Sequence, residues 1–183
     1  MPHPLRPAEI FGALAEQHVR YVLIGGLAAV LHGSPTVTAD ADICAERTAD
    51  NLRRLSRALQ ELHARIRSSA EPEGAPFKPD AALLGRMTVV NLSTDFGDLD
   101  LTFEPAAFSG YEEVAEHAVA VSVAGTVVAV AALDDVIRSK EAADRPKDRA
   151  TLPVLYALRD EIEARNHTPS AATRSGGPSG AGR

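Results

Sequence analysis

Residues 21–44, YVLIGGLAAVLHGSPTVTADADIC, decide how the rest of the chain reads. The stretch opens with a β-rich run, Tyr21-Val22-Leu23-Ile24, that the pair Gly25-Gly26 ends. Residues 27–31 read as a helix, and His32-Gly33-Ser34-Pro35 stops it. Residues 36–44 read as a second strand, on which Asp40 and Asp42 share a face because strand side chains alternate with period two. Two carboxylates so close repel one another, and in a partly buried strand they are costly unless a cation neutralises them. A second Asp-x-Asp, Asp98 and Asp100, recurs in FGDLDLTF at 96–103. Asp100 lies between Leu99 and Leu101, inside a strand, whereas Asp98 follows Gly97 and suits a turn. Asp100 is therefore the third candidate ligand and Asp98 the spare. A lone Asp-x-Asp ordinarily marks a solvated edge strand. Two of them behind a glycine turn match what a two-metal phosphoryl-transfer site needs: backbone N–H groups close to a triphosphate, and carboxylates holding the cations that neutralise it.

The surrounding sequence supplies an α/β frame for this stretch. Residues 7–19 carry Ile10, Phe11, Leu14 and Val19 on one helical stripe, with Pro7 suited to a first turn. Thr48 is the expected N-cap of a long helix reaching about Ile66, its buried face formed by Leu52, Leu55, Leu59 and Leu62. Residues 68–80, with three prolines and a glycine, read as a loop. Residues 86–93 and 99–103 read as strands joined by Thr94-Asp95-Phe96-Gly97, and 111–117 as a short helix. A hairpin is expected at 119–123 and 127–131, turning at Ala124-Gly125-Thr126, and Pro146 separates two helices at 133–143 and 147–165. The order implies an α/β domain over 1–165 with a mixed sheet, followed by a Gly/Ser/Pro/Ala-rich tail, 166–183, with nothing to bury and expected to be disordered.

Composition sets the bounds. A chain of 183 residues, 45% apolar and 24% charged, is that of a single soluble domain with a core of its own. Tryptophan is absent, so the core is aliphatic. The single Cys44 excludes an intramolecular disulfide and reads as a buried thiol. No apolar run approaches the ~20 residues of a membrane helix. The start, MPHPLRPAEI, lacks the regions of a signal peptide, so no membrane partner is expected and the cytoplasm is the expected compartment. A net charge of −6 argues against a generally basic, nucleic-acid-coating surface. The charge is uneven, however. Arg53, Arg54, Arg57, Arg65 and Arg67 crowd the long helix, where Arg53 and Arg57 share a face with Arg54 adjacent, and these three form a candidate RNA-facing edge beside the carboxylates. Arg138, Lys140, Arg145, Lys147 and Arg149 form a second cluster.

The succession of strand, Gly-Gly, helix, Gly-Ser, strand with Thr-x-Asp-x-Asp, long helix and hairpin with a third Asp resembles the polymerase-β-like nucleotidyltransferase fold. That fold is a mixed, twisted sheet flanked by helices. Within it the chain looks most like the AbiEii/MenT-type bacterial nucleotidyltransferase toxins. The resemblance implies that Asp40 and Asp42 bind two metal ions, Mg²⁺ or Mn²⁺, and that Asp100 completes one site and assists deprotonation of the attacking hydroxyl. It further implies that Gly25, Gly26 and Thr38 lie against the nucleotide. Residues 133–155, LDDVIRSKEAADRPKDRATLPVL, are similar to the family's C-terminal signature. Lys140, counted with the catalytic residues, and Arg145 would then neutralise the triphosphate, and Asp148 would fix one of them by ion pairing; Lys147 and Arg149 read as surface charges. Many relatives carry an arginine where Thr36 stands. His32 reads as a helix cap and His18 and His63 as helix-surface residues. The implied function is transfer of NMP from an NTP to an RNA 3′ end, tRNA above all, by the toxin of a toxin–antitoxin pair with a cognate antitoxin as partner. Two alternatives stand beside it: a small-molecule (antibiotic) adenylyltransferase, and an antitoxin-like module that binds or AMPylates a partner toxin.

Overall fold

The computed structural model describes residues 3–72 and 74–167. Helix α1 (Pro7–Glu16) leads into β1 (Tyr21–Ile24), α2 (Gly25–Leu31), β2 (Asp40–Ala45) and α3 (Ala49–Glu61). Two short strands, β3 (Arg65–Ile66) and β4 (Ala75–Pro76), and one helical turn, α4 (Ala81–Leu84), precede the hairpin of β5 (Val89–Thr94) and β6 (Gly97–Thr102). Next come α5 (Tyr111–Ala115), a second hairpin of β7 (Val119–Val123) and β8 (Thr126–Val130), and finally α6 (Leu133–Ala143) and α7 (Pro146–His167).

All eight strands join one sheet in the order β4-β3-β5-β6-β2-β1-β8-β7. Neighbours β2/β6 and β1/β8 run parallel and the others antiparallel, which makes the sheet mixed, as expected. Alternation sorts the central strands cleanly. Ala41 and Ile43 of β2 and Leu99 and Leu101 of β6 are fully buried, while Asp40, Asp42, Asp98 and Asp100 point to the other face and stay partly exposed. The apolar side joins Ile10, Phe11 and Leu14 of α1 and Leu55 and Leu59 of α3 in one core. Each fully buried Leu or Ile contributes about 1.5–3 kcal/mol, and this burial holds the carboxylate strands in register.

Buried Asn51 fixes the start of α3. Its Oδ1 accepts from the Arg20 N–H at 2.7 Å, and its Nδ2 donates to the carbonyls of Arg20 and Glu46 at 2.8 and 2.9 Å. The first turns of α3 are thereby tied to the end of the sheet where Tyr21 of β1 pairs with Ala45 of β2.

Several boundaries depart from the sequence reading. The strand expected from Thr36 begins only at Asp40, because Thr38 Oγ1 turns back to bond the Asp40 carboxylate and carbonyl and holds the preceding backbone off the ladder. The helix expected to reach Ile66 ends at Glu61, with Leu62 as its C-cap; His63 adopts a left-handed φ of 50° and redirects the chain into β3. The presumed loop at 68–80 contributes β4, and Asp80 caps α4 by accepting from the Leu83 N–H. Helix α2 starts two residues earlier than expected, at Gly25, and β5 three later, at Val89. Of the expected tail, Asn166 and His167 belong to α7, and the remainder lies outside the described residues. No described helix is long and apolar enough to cross a membrane.

Candidate active site

Parallel pairing of β2 with β6 sets Asp40 opposite Asp98 and Asp42 opposite Asp100, so four carboxylates occupy one patch of the sheet. Ligand oxygens of Asp40, Asp42 and Asp100 all lie within 4.8 Å of one another. The three residues singled out in the sequence therefore meet. The crowding registers in the acidity of Asp42 and Asp100. Burial, and then the charges of Asp40 and Asp100, push the Asp42 carboxyl up to about 6, against the opposing pull of Lys147 and of a hydrogen bond from the Gly26 N–H. Burial also raises Asp98 and Asp100, with Arg67 acting against it.

The glycine pair is required by this patch. Gly25 has a left-handed φ of 68°, and a Cβ there would overlap the Asp42 carboxylate. A Cβ on Gly26 would come within 2.8 Å of Thr38 Oγ1. Both glycines thus allow α2 to close on the Thr-x-Asp-x-Asp segment. Thr38 in turn orients Asp40, donating to its Oδ1 at 2.8 Å.

A cleft of about 320 Å³ opens beside the carboxylates, lined by Gly25, Gly26, Thr36, Val37, Thr38, Asp40 and Asp42 on one side. Lys140, Arg145 and Lys147 line the other. Asp148, fully buried, organises two of these cations: Lys140 Nζ donates to its Oδ1 at 3.1 Å, and Arg145 Nε to its Oδ2 at 2.6 Å. Burial would raise the Asp148 carboxyl, but these two charge-assisted bonds outweigh it and hold the group below the usual carboxylate range. Both Lys140 and Arg145, not one of them, are fixed. Lys147 is exposed, as expected, and also lines the cleft, where its charge acts on Asp42. Arg149 is the surface residue expected, paired with Asp144 at 2.9 Å.

Two groups have functions at the patch that the sequence reading did not assign. Arg67 donates from Nη2 to Asp100 Oδ1 at 2.8 Å, and its Nε lies 3.3 Å from Asp98 Oδ2. Asp98 is consequently no mere turn residue. Its Oδ1 and the Arg67 Nε are both buried without a hydrogen-bond partner among the described residues. The signal was present in Arg65 and Arg67, which alternate with period two, but the leucine stripe upstream made them read as helical.

Arg53 and Arg54, expected beside the carboxylates, are not there. They pair with Asp50, and Arg54 also donates to the His18 carbonyl, at the Tyr21/Ala45 end of the sheet, away from Asp40. His32 caps α2 and its Nε2 donates to the Ala131 carbonyl at 2.8 Å, while exposed His63 pairs with Asp95. Cys44 is fully buried, and burial pushes its thiol up to about 12, which removes it from chemistry.

No protein-family model matches the chain, and no curated protein matches it. Solved structures do. The lincosamide antibiotic adenylyltransferase LnuA, in its lincomycin-bound form, superposes with a TM-score of 0.55 at 15% identity, covering 85% of this chain and 99% of that one. ANT(2″)-Ia in complex with adenylyl-2″-tobramycin gives a TM-score of 0.50 at 14% identity, over 86% and 95% of the two chains. A likeness at this level of identity is one of architecture: the chain has the nucleotidyltransferase fold.

Proposed function

We propose that the protein is a cytoplasmic, divalent-metal-dependent nucleotidyltransferase that moves an NMP group from an NTP to a hydroxyl at an RNA 3′ end, with tRNA as the acceptor class. One observation carries the nucleotidyl-transfer reading: three carboxylates converge within 4.8 Å against a cleft wall of Lys140, Arg145 and Lys147. The RNA acceptor, the toxin role and a cognate antitoxin as partner rest on the sequence resemblance to AbiEii/MenT-type enzymes.

The donor set fits a hard divalent cation. All the ligand atoms are carboxylate oxygens, the choice of Mg²⁺ and Mn²⁺, and burial, followed by the charge of neighbouring carboxylates, raises the pKa of Asp42 and Asp100, a cost that a bound cation would relieve. Bound there, the metal supplies charge neutralisation and Lewis acidity at the reacting phosphate. Asp40, Asp42 and Asp100 hold it. Lys140, Arg145 and Lys147 take the β- and γ-phosphates. Asp100 accepts the proton of the attacking hydroxyl. That oxygen bonds to the α-phosphorus while the bond to the leaving pyrophosphate breaks, its charge carried by the three cations. Chemistry of this kind is mostly positioning and neutralisation, which suits a site with no nucleophilic side chain.

A second reading, transfer to a small hydroxylated molecule, is favoured by the fold match to two antibiotic adenylyltransferases over nearly their whole length. Incubation with each α-labelled NTP, separately with total tRNA and with lincomycin or tobramycin, discriminates the two. Label on tRNA supports the first reading and label on a small molecule the second. Absence of label from every acceptor contradicts nucleotidyl transfer.

A further inference from the structure

The two ends of the sheet are finished differently. At one end β4 is two residues long and closes on Pro76, which has no N–H to offer a further strand. At the other end β7 runs from Val119 to Val123, and no strand lies beyond it among the described residues. Residues 118–133 contain no charged residue and no proline. Natural sheets guard a free edge with such residues, because its unpaired N–H and C=O groups otherwise template another strand.

The hairpin shows which groups are free. Ala124 and Gly125 have left-handed φ of 49° and 88°, the two-residue turn whose flanking pair, here Val123 and Thr126, exchanges hydrogen bonds. Alternation then directs Val121 and Val119 to β8 as well, and leaves the N–H and C=O groups of Ala120 and Ser122 on the outer edge. On the core side, Val119 is 43% exposed and Val121 and Val123 are half-buried beside buried Val128 and Val130. The apolar layer thus runs out to the edge uncovered. Helix α1 adds a second layer here. It packs on β7 and β8, and its Gln17 side chain donates to Glu61 of α3 at 2.5 Å. By helical spacing the flank turned from α3 carries Ala8, Gly12 and Ala15. Ala8 and Ala15 are exposed, and a Cβ on Gly12 would meet nothing within 4 Å. A glycine weakens a helix interior, and no neighbour within the chain requires this one.

We propose that this flank is a homodimer interface, in which β7 pairs antiparallel with β7 of a second copy and α1 packs along the copy's α1. The strand is its own complement. A two-fold axis at Val121 sets Ala120 against Ser122 of the second copy, so that the outward N–H and C=O groups of both are satisfied. On the core side the same axis sets Val121 against Val121, with Val128 behind each, and Val119 against Val123. The aliphatic core then continues from one copy into the other, and no charges meet along the strand. A strand edge alone falls short of the roughly 1,200–2,000 Å² that stable interfaces bury. The small residues of α1 extend the contact by letting two helices approach closely, while exposed Glu9 and Glu16 stay hydrated at its rim.

The test uses the full chain. Cys44 is fully buried, so an introduced cysteine is the one accessible thiol. In the proposed register the two Val121 Cα atoms stand about 4.5 Å apart, within disulfide reach, whereas Val119 faces Val123 and not itself. Under mild oxidation Val121→Cys should form a disulfide-linked dimer, and Val119→Cys should not. Sedimentation of wild type should show a reversible dimer. Ser122→Pro removes an outward N–H without breaking the hairpin ladder, and Gly12→Gln fills the open flank of α1. Each should raise the dimer dissociation constant by about tenfold or more, with cooperative melting retained. Should Ser122→Pro fail to melt cooperatively, Gly12→Gln and the cysteine pair decide. A wild type that is monomeric at every concentration, or a dimer that Gly12→Gln and Ser122→Pro leave intact, overturns the proposal. Equal crosslinking of the two cysteine variants overturns it as well.

Discussion

The two walls that meet at Asp42 are drawn from very different distances along the chain. The nucleotide-side wall takes Gly25, Gly26, Thr38, Asp40 and Asp42 from one short run, joined by the α6–α7 corner. The opposite wall takes Arg67 from beyond β3, Asn91 from β5, and Asp98 and Asp100 from β6. Its parts meet only because the strands pair in one register. A one-residue slip of β5 would turn Asn91 into the core and Val90 outward. The first wall is a local motif; the second is a product of the sheet. The first is built to hold charge, with Lys140, Arg145 and Lys147 sharing a cleft with Asp40 and Asp42. The second has a single basic residue, Arg67, tied to Asp98 and Asp100.

The largest expected effect comes where the walls join. Asp42→Asn removes a ligand both sides depend on and should lower kcat by on the order of 10³-fold, the rate equivalent of several kcal/mol of metal-derived stabilisation. Steady-state rates with labelled NTP check it. Activity within tenfold of wild type would move the reacting centre off Asp42.

The same variant has an opposite effect on stability. The folded Asp42 carboxyl titrates at about 6, above its ordinary value of 3.8, so the folded state binds this proton more tightly than the unfolded one. Ionised Asp42 thus costs stability at pH above 6, and the cost fades as pH falls toward 4. Metal-free Asp42→Asn should be more stable than wild type by about 2–3 kcal/mol at pH 8, with the difference vanishing near pH 4. Urea titrations at the two pH values measure it. A difference independent of pH contradicts the crowding of charge at β2.

A paired experiment sharpens the contrast between the walls. Lys140→Ala on the nucleotide side should weaken NTP binding by about 1–3 kcal/mol, the scale of a charge-assisted hydrogen bond. Arg67→Gln on the other side should leave the NTP KM unchanged and lower kcat by about 10–100-fold, because Arg67 acts by positioning Asp100. Arg67→Lys, which retains the charge, should recover part of the loss. Equal effects on KM from both substitutions would erase the distinction.

What the sequence made legible follows the same division. Alternation within β2 and β6 exposed Asp40, Asp42 and Asp100, and Ala41, Ile43, Leu99 and Leu101 confirmed which face was buried. The Gly25-Gly26 junction and the Asp148 ion pairs were equally readable, since Gly25 and Gly26 meet Asp42 and Thr38 of the same motif and Asp148 meets Lys140 and Arg145 of the adjoining turn. Arg67 was not, because Ile66 continues the spacing of Leu55, Leu59 and Leu62. The helix therefore seemed to run on, and only the left-handed backbone of His63, a residue that carries no glycine-like warning, ends it. Asp98 was set aside for a related reason. Its neighbour Gly97 signals a turn, while its pairing with Asp40 and Arg67 depends on contacts far along the chain. Arg53 and Arg54 of α3 were placed at the wrong end of the sheet because composition reports a cluster but not the direction in which its helix runs.

The central claim is that Asp40 and Asp42 bind a divalent cation on which nucleotide binding depends. Melting of wild type and of the Asp40→Asn/Asp42→Asn variant, with and without Mn²⁺ and a non-hydrolysable NTP analogue, tests it most directly. Ligands near a hundred times their dissociation constant should raise the wild-type Tm by about 5–10 °C, and the double variant should show no shift. Equal shifts in the two proteins, or none in wild type, would contradict the claim.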